Sequence, residues 1–165
     1  MNEFGFARAT QILPLLHILA VIFFINAQIC CVYIIRIYKK SENICENCDK
    51  IKLHFSRYER FFLLYFAVII ISGYLISIGN DYKFADPMVT GIITTLWAAS
   101  MFILLNFVYI HYKILSFQKA VLAKNEIEAN EHLIIILKYF IPLNIAISLI
   151  CVYLGVTISE FWWFI

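Results

Sequence analysis

Four long blocks without a single charged residue dominate the chain. They run from about Ile12 to Ile35, Phe61 to Gly79, Val89 to Ile110 and Tyr139 to Ile158. A helix needs about 20 apolar residues to cross about 30 Å of hydrocarbon, and each block is near that length. Lipid offers the backbone no hydrogen-bond partner, so each block is expected to be helical. Pro14 falls in the opening turn of the first block, where a missing N–H matters little. Pro142 falls near the start of the fourth, where a bend is expected. The segment Tyr112–His132 has no Pro or Gly, and its apolar residues recur at roughly helical spacing. The third helix should therefore run on past the membrane and turn near Lys124–Asn130.

Composition agrees with this pattern. Of 165 residues, 63% are hydrophobic and 15% charged, and mean hydropathy is +0.85. A soluble domain is nearer half apolar, so the surplus must face something other than water. The partner this implies is a lipid bilayer. A net charge of +2 gives no reason to expect nucleic acid. The apolar run through Cys30 and Cys31 to Ile35 is longer than a signal-peptide core, so the first block reads as a span.

Charge placement sets the orientation. Arg36, Lys39, Lys40, Lys50, Lys52, Arg57 and Arg60 lie between the first two blocks, and Lys113, Lys119, Lys124 and Lys138 between the last two. Only Arg8 and Lys83 remain for the other side. Basic loops stay in the cytoplasm. The fold expected is all-α: one domain, residues 1–165, a four-helix transmembrane bundle with both termini outside and the third helix extended into the cytoplasm. Tyr38, Tyr58, Tyr112 and Tyr139 would form an inner aromatic belt, and Trp162 and Trp163 would anchor the outer end of the last helix. The connection Asn80–Pro87 would be short and external.

Polar groups inside spans are the strongest functional pointers. With a rise of 1.5 Å per residue, Asn26, Asn106 and Asn144 all lie roughly 20–26 Å below the outer surface, and Tyr65 falls near the same level. Every helix thus contributes to one polar layer. It serves either as interhelical hydrogen bonding that fixes register or as a binding site for a polar ligand or a quinone. His17 stands alone in the outer half of the first span. Ser72, Gly73 and Tyr74, Thr94, Thr95 and Trp97, and Cys151 and Tyr153 share its depth. Tyr or Thr could satisfy a neutral buried imidazole. Alternatively His17 ligates haem iron or copper, with Tyr74, Trp97 and Cys151 around the cofactor and Gly73 making room for a flat ring. His111 lies roughly 20 Å or more from His17 along the axis, which excludes a shared metal.

Cys45 and Cys48 form a C-E-N-C unit with His54 six residues on. That spacing supplies half of a zinc site, which His111 and His132 could complete. Reduced thiols are the alternative. Cys30, Cys31 and Cys151 read as small apolar packing residues. A CxxC in a four-helix membrane protein also resembles the quinone-linked disulfide oxidases of the DsbB type. Those carry it on the oxidising face with a second external cysteine pair. Here the external connection has no cysteine, and charge puts Cys45 and Cys48 inside. Glu59 beside Arg60 reads as an interfacial ion pair. The spans show no nucleophile–base pair, phosphate loop or carboxylate pair.

Leu15-Leu16-His17-Ile18-Leu19-Ala20 resembles the opening helix of a superfamily of small bacterial membrane proteins that includes the copper-resistance CopD domain and the HemJ-type protoporphyrinogen oxidases. Tyr58-Glu59-Arg60 is similar to the Glu-Arg pair before the second HemJ-type helix. Ile71-Ser72-Gly73 is similar to its small-residue step, and Tyr109–His111–Tyr112 to the end of the third. The resemblance implies a bacterial inner membrane and a haem b or copper contact at His17 with a redox role. It does not extend to the oxidase activity. The family's lysine in the outer part of helix three has no counterpart in Val89–Trp97, and Ile22, Phe23 and Phe24 stand where its tryptophan would follow the histidine. Without a cation to hold substrate carboxylates, porphyrinogen oxidation is not expected. Whether the chain is an enzyme stays open. The alternatives are a non-enzymatic subunit or assembly factor of a membrane complex, acting with other subunits or as a homo-oligomer, and transport of a metal or solute.

Overall fold

The computed structural model describes the backbone of residues 3–40, 44–79 and 87–161, and side chains over 12–39, 48–78 and 87–158. Helix α1 is Glu3–Lys40, α2 is Ile44–Gly79 and α3 is Pro87–Leu122. The fourth rod is α4 (Glu126–Ile135), a π turn (Ile136–Phe140) and α5 (Ile141–Phe161). No strand occurs among the described residues. All four rods are long and apolar enough to cross a membrane.

The helices run well past the charge-free blocks. At 36 residues, α3 is about 54 Å long, against about 30 Å of hydrocarbon. All four rods therefore project at the basic end. Residues 44–60, expected as a loop, are the first turns of α2, so the C-E-N-C unit is helical. The sequence carries the cause. Cys48, Ile51, Phe55, Tyr58 and Phe62 recur every three or four residues, and all are buried. Phe24, Gln28, Cys31 and Ile35 do the same on α1, and Ile103, Phe107, Ile110, Ile114 and Phe117 on α3. These are the seams of an antiparallel bundle with coiled-coil-like packing. They place the core at the basic half, around Phe62 and Phe107, whose rings stack at 4.0 Å. In the other half, among the described residues, only Ala20, Ser72, Val89, Ser148 and Ile158 are buried, and large apolar side chains such as Ile71, Met101 and Leu149 face outward.

Pro14 proves to be inside a helix, because α1 begins at Glu3 rather than near Ile12. In the fourth rod the seam changes phase. Ala129, Leu133 and Ile136 are buried, then Leu137, Ile141, Asn144 and Ser148. The π turn inserts the one extra residue that reconciles the two registers, and the Ile141 N–H reaches back to the Ile136 carbonyl. Pro142, which brings no N–H of its own, follows directly.

The α3–α4 turn falls where the sequence placed it. The Asn125 N–H bonds the Ala120 carbonyl and the Lys124 N–H bonds the Val121 carbonyl, both at 3.0 Å. This is a Schellman motif, with Lys124 in the left-handed position at φ 55°. Asn125 then caps α4. Its side chain accepts from the Glu128 N–H at 3.3 Å and donates to the Glu128 carboxylate at 3.1 Å.

The inner aromatic belt is only partly as expected. Tyr112 and Tyr139 are exposed, and the Tyr38 ring lies tilted against His54 at 5.5 Å, but Tyr58 is buried in the core. Its seam position overrides its place beside charged residues. Trp162 and Trp163 lie outside the described residues.

Candidate functional site

The polar layer forms from different members than expected. Asn106 on α3 donates to the Asn144 Oδ1 at 2.6 Å and to the Phe140 carbonyl at 3.0 Å. The Ser148 hydroxyl donates to the Asn144 carbonyl at 2.7 Å. Asn26 does not join them. It is exposed, two positions from the α1 seam, and its Oδ1 meets only the Cys30 thiol at 3.7 Å. Tyr65 does not join either; its ring lies parallel to those of Phe23 at 5.8 Å and Phe61 at 6.0 Å. Gln28 is the polar residue that α1 buries, at 1% exposure, and its Nε2 bonds its own helix at the Phe24 carbonyl. Four-residue spacing from Phe24 was the signal in the sequence.

Five buried polar atoms among the described residues lack a well-formed hydrogen bond; Asn130 Oδ1 and His132 Nδ1 are on α4, and the other three, Gln28 Oε1, the Tyr58 hydroxyl and Asn144 Nδ2, belong to the bundle interior at this level. Tyr58 lies against Asn144 and Cys31. Buried polar atoms are normally satisfied, so such a concentration marks the interior of the basic half as a place where water or a ligand atom has something to bind.

Between α1 and α2, on the outer surface of this layer, runs a groove of about 320 Å³. Phe23, Phe61 and Tyr65 form its aromatic wall. Asn26, Cys30, Cys31 and Tyr58 supply polar atoms, and His54 and Arg57 stand at its basic end. Asn26 and Tyr65 thus share a site after all, but this one opens sideways rather than into the bundle.

In the half away from the basic end, His17 Nδ1 lies 2.8 Å from the Ser72 hydroxyl. That hydroxyl donates to the Val68 carbonyl at 2.6 Å, so it accepts from the imidazole. With the Ile69 carbonyl also beside this pair, the arrangement favours the tautomer protonated at Nδ1, which leaves the lone pair on Nε2. Ser72 and His17 are a serine–histidine pair that the sequence reading did not make. The hydroxyl is nearly inaccessible and its proton is committed to the backbone, so it is no nucleophile.

The remaining members of the expected cofactor group are elsewhere. Gly73 does not hold open a slot, because a Cβ there would lie 3.2 Å from the His17 Cε1; the imidazole already fills the space. Tyr74 and Trp97 meet edge to face at 6.5 Å in a second groove, between α2 and α3, of about 260 Å³. His17 does not line that groove. Cys151 on α5 is half-buried and in no disulfide.

At the basic end the proposed zinc ligands are dispersed. His54 lies tilted against the Tyr38 ring, and His132 sits 3.7 Å from Glu128. His111 Nδ1 lies 2.7 Å from Glu59, the carboxylate expected to pair with Arg60. Arg60 bonds the Ser56 carbonyl instead. Cys48 is buried, and the side chain of Cys45 lies outside the described residues. No three His, Cys, Asp or Glu side chains among the described residues come together as a metal site. No family model, curated protein or solved structure matches this chain.

Proposed function

We propose that this chain is a multi-pass protein of a bacterial inner membrane, its basic end in the cytoplasm, that holds a membrane-soluble amphiphile in the α1–α2 groove. The observation that carries this reading is Asn26. Its carboxamide faces the groove from within a membrane span, and Nδ2 donates to nothing among the described residues. Leaving an amide unpaired in an apolar medium costs roughly 2–7 kcal/mol, so a ligand carbonyl or hydroxyl is well rewarded there. The parallel rings of Phe23, Tyr65 and Phe61 give its apolar part a flat surface. Binding, rather than catalysis, is what these groups support. Native mass spectrometry of protein extracted in mild detergent tests it. A retained amphiphile should be lost in Ala27→Phe, which fills the groove. Identical bound species in both proteins would refute the reading.

A second reading rests on His17 and on the CopD- and HemJ-type resemblance of its helix. An imidazole with Nδ1–H anchored and Nε2 unengaged is how metal-ligating histidines are held. His17 would hold such a group by its imidazole alone, without an enclosing pocket, since Gly73 is filled and Tyr74 and Trp97 line another groove. Such a group would supply one-electron redox chemistry. A Soret band present in the wild type and absent from His17→Ala would support it, and a purified protein without that band after growth with ample haem would end it.

A further inference from the structure

We propose that the amphiphile is an anionic phospholipid whose headgroup sits at the basic end of the α1–α2 groove, on Arg57 and His54. This rests on the groove-binding reading and names the chemistry of its ligand. Lys50, His54 and Arg57 follow one another at four- and three-residue spacing, so they share a face of α2. His54 and Arg57 line the groove, and Lys50 stands one turn further out, its ammonium 5.8 Å from the Tyr38 ring. The Tyr38 ring lies tilted against His54 at 5.5 Å, which ties this basic face to the end of α1. Among the described residues no carboxylate pairs with any of the three, and the nearby Glu59 is held by His111 on the α3 side.

The second observation is the length of the groove. From Ile34 to Phe23 the groove covers twelve residues of α1, about 16 Å of axial length, which suits an acyl chain laid along the helix. Basic pockets between helices on the cytoplasmic side select phosphate headgroups in this way.

Brominated-lipid quenching in vesicles tests both levels. Phe61→Trp, in a background with Trp97, Trp162 and Trp163 changed to Phe, places the fluorophore on the groove wall. Circular dichroism checks that each variant is folded. Dibrominated phosphatidylglycerol should bind several-fold more tightly than dibrominated phosphatidylcholine. Arg57→Gln and Lys50→Gln should each remove about fivefold of that preference, the equivalent of about 1 kcal/mol per basic residue near an anionic surface. Equal quenching by both lipids, unaltered by the charge variants, would overturn the headgroup assignment and leave groove binding standing. Quenching no greater than for a tryptophan placed at lipid-facing Leu149 would overturn both.

Discussion

Asn106 reaches from α3 to Asn144 on α5, its Nδ2 2.6 Å from the Asn144 Oδ1, and also meets the Phe140 carbonyl at the end of the π turn. One side chain therefore fixes both the register of two rods and the point where the fourth changes phase. Hydrogen bonds between membrane helices average about 0.6 kcal/mol and reach about 1.7 kcal/mol. This bond is short, and it leaves no simple alternative for the freed carbonyl.

Asn106→Leu and Asn144→Leu should each lower the unfolding free energy in mixed micelles by about 1–2 kcal/mol. The double variant should lose less than the sum, because one change already removes the shared bond. Additive losses would show that the two amides act independently.

His17 and Gly73 make a coupled pair of the opposite kind. A methyl group at Gly73 would lie 3.2 Å from the imidazole Cε1, so Gly73→Ala should press His17 aside by a few tenths of an ångström and cost more than the helix propensity of Ala returns, a net destabilisation of up to about 1 kcal/mol. Once His17→Ala has cleared the space, the same change should stabilise by up to about 1 kcal/mol, since Ala is the better helix former. The reversal of sign is the test; destabilisation in both backgrounds would mean that the imidazole is not the neighbour that matters.

The bundle was legible in the sequence because charge-free blocks of this length have one physical explanation. The turn at Lys124–Asn125 was legible too, from the polar cluster around it, although its form was not: a Schellman turn usually announces itself by Gly, and here Lys occupies the left-handed position. What escaped was the seam through the charged segment. Cys48, Ile51, Phe55 and Tyr58 keep bundle spacing among Lys and Arg, and reading by charge alone turned that segment into a loop. The site was half legible for a related reason. Depth along an axis can be counted from sequence, and Asn106 and Asn144 do meet. Direction around the axis needs the neighbours, so Asn26 was grouped with them when the seam residue is Gln28, two positions on.

Cys30 and Cys31 divide that same direction between them. Cys30 is exposed and lines the groove, and Cys31 is buried against Tyr58. A membrane-permeant maleimide should label Cys30 in the folded protein and spare Cys31, so intact mass should drop by one adduct in Cys30→Ser and by none in Cys31→Ser. The groove ligand should slow this labelling. Equal loss in both variants would place α1 in a different rotation about its axis.

Lys124 offers a prediction in which the residue, and not its contacts, is at fault. At φ 55° an L side chain is strained by about 1–2 kcal/mol relative to the right-handed region, a strain glycine does not carry. Glycine also gives the unfolded chain more freedom, which offsets part of the gain. Lys124→Gly should therefore raise the melting temperature slightly, by the equivalent of up to about 1 kcal/mol. Lys124→Val should lower it, because β-branching makes the left-handed conformation worse. The Schellman bonds of Lys124 and Asn125 are made by backbone N–H groups, so neither change removes them. If Val is tolerated as well as Gly, the chain turns between α3 and α4 by another route.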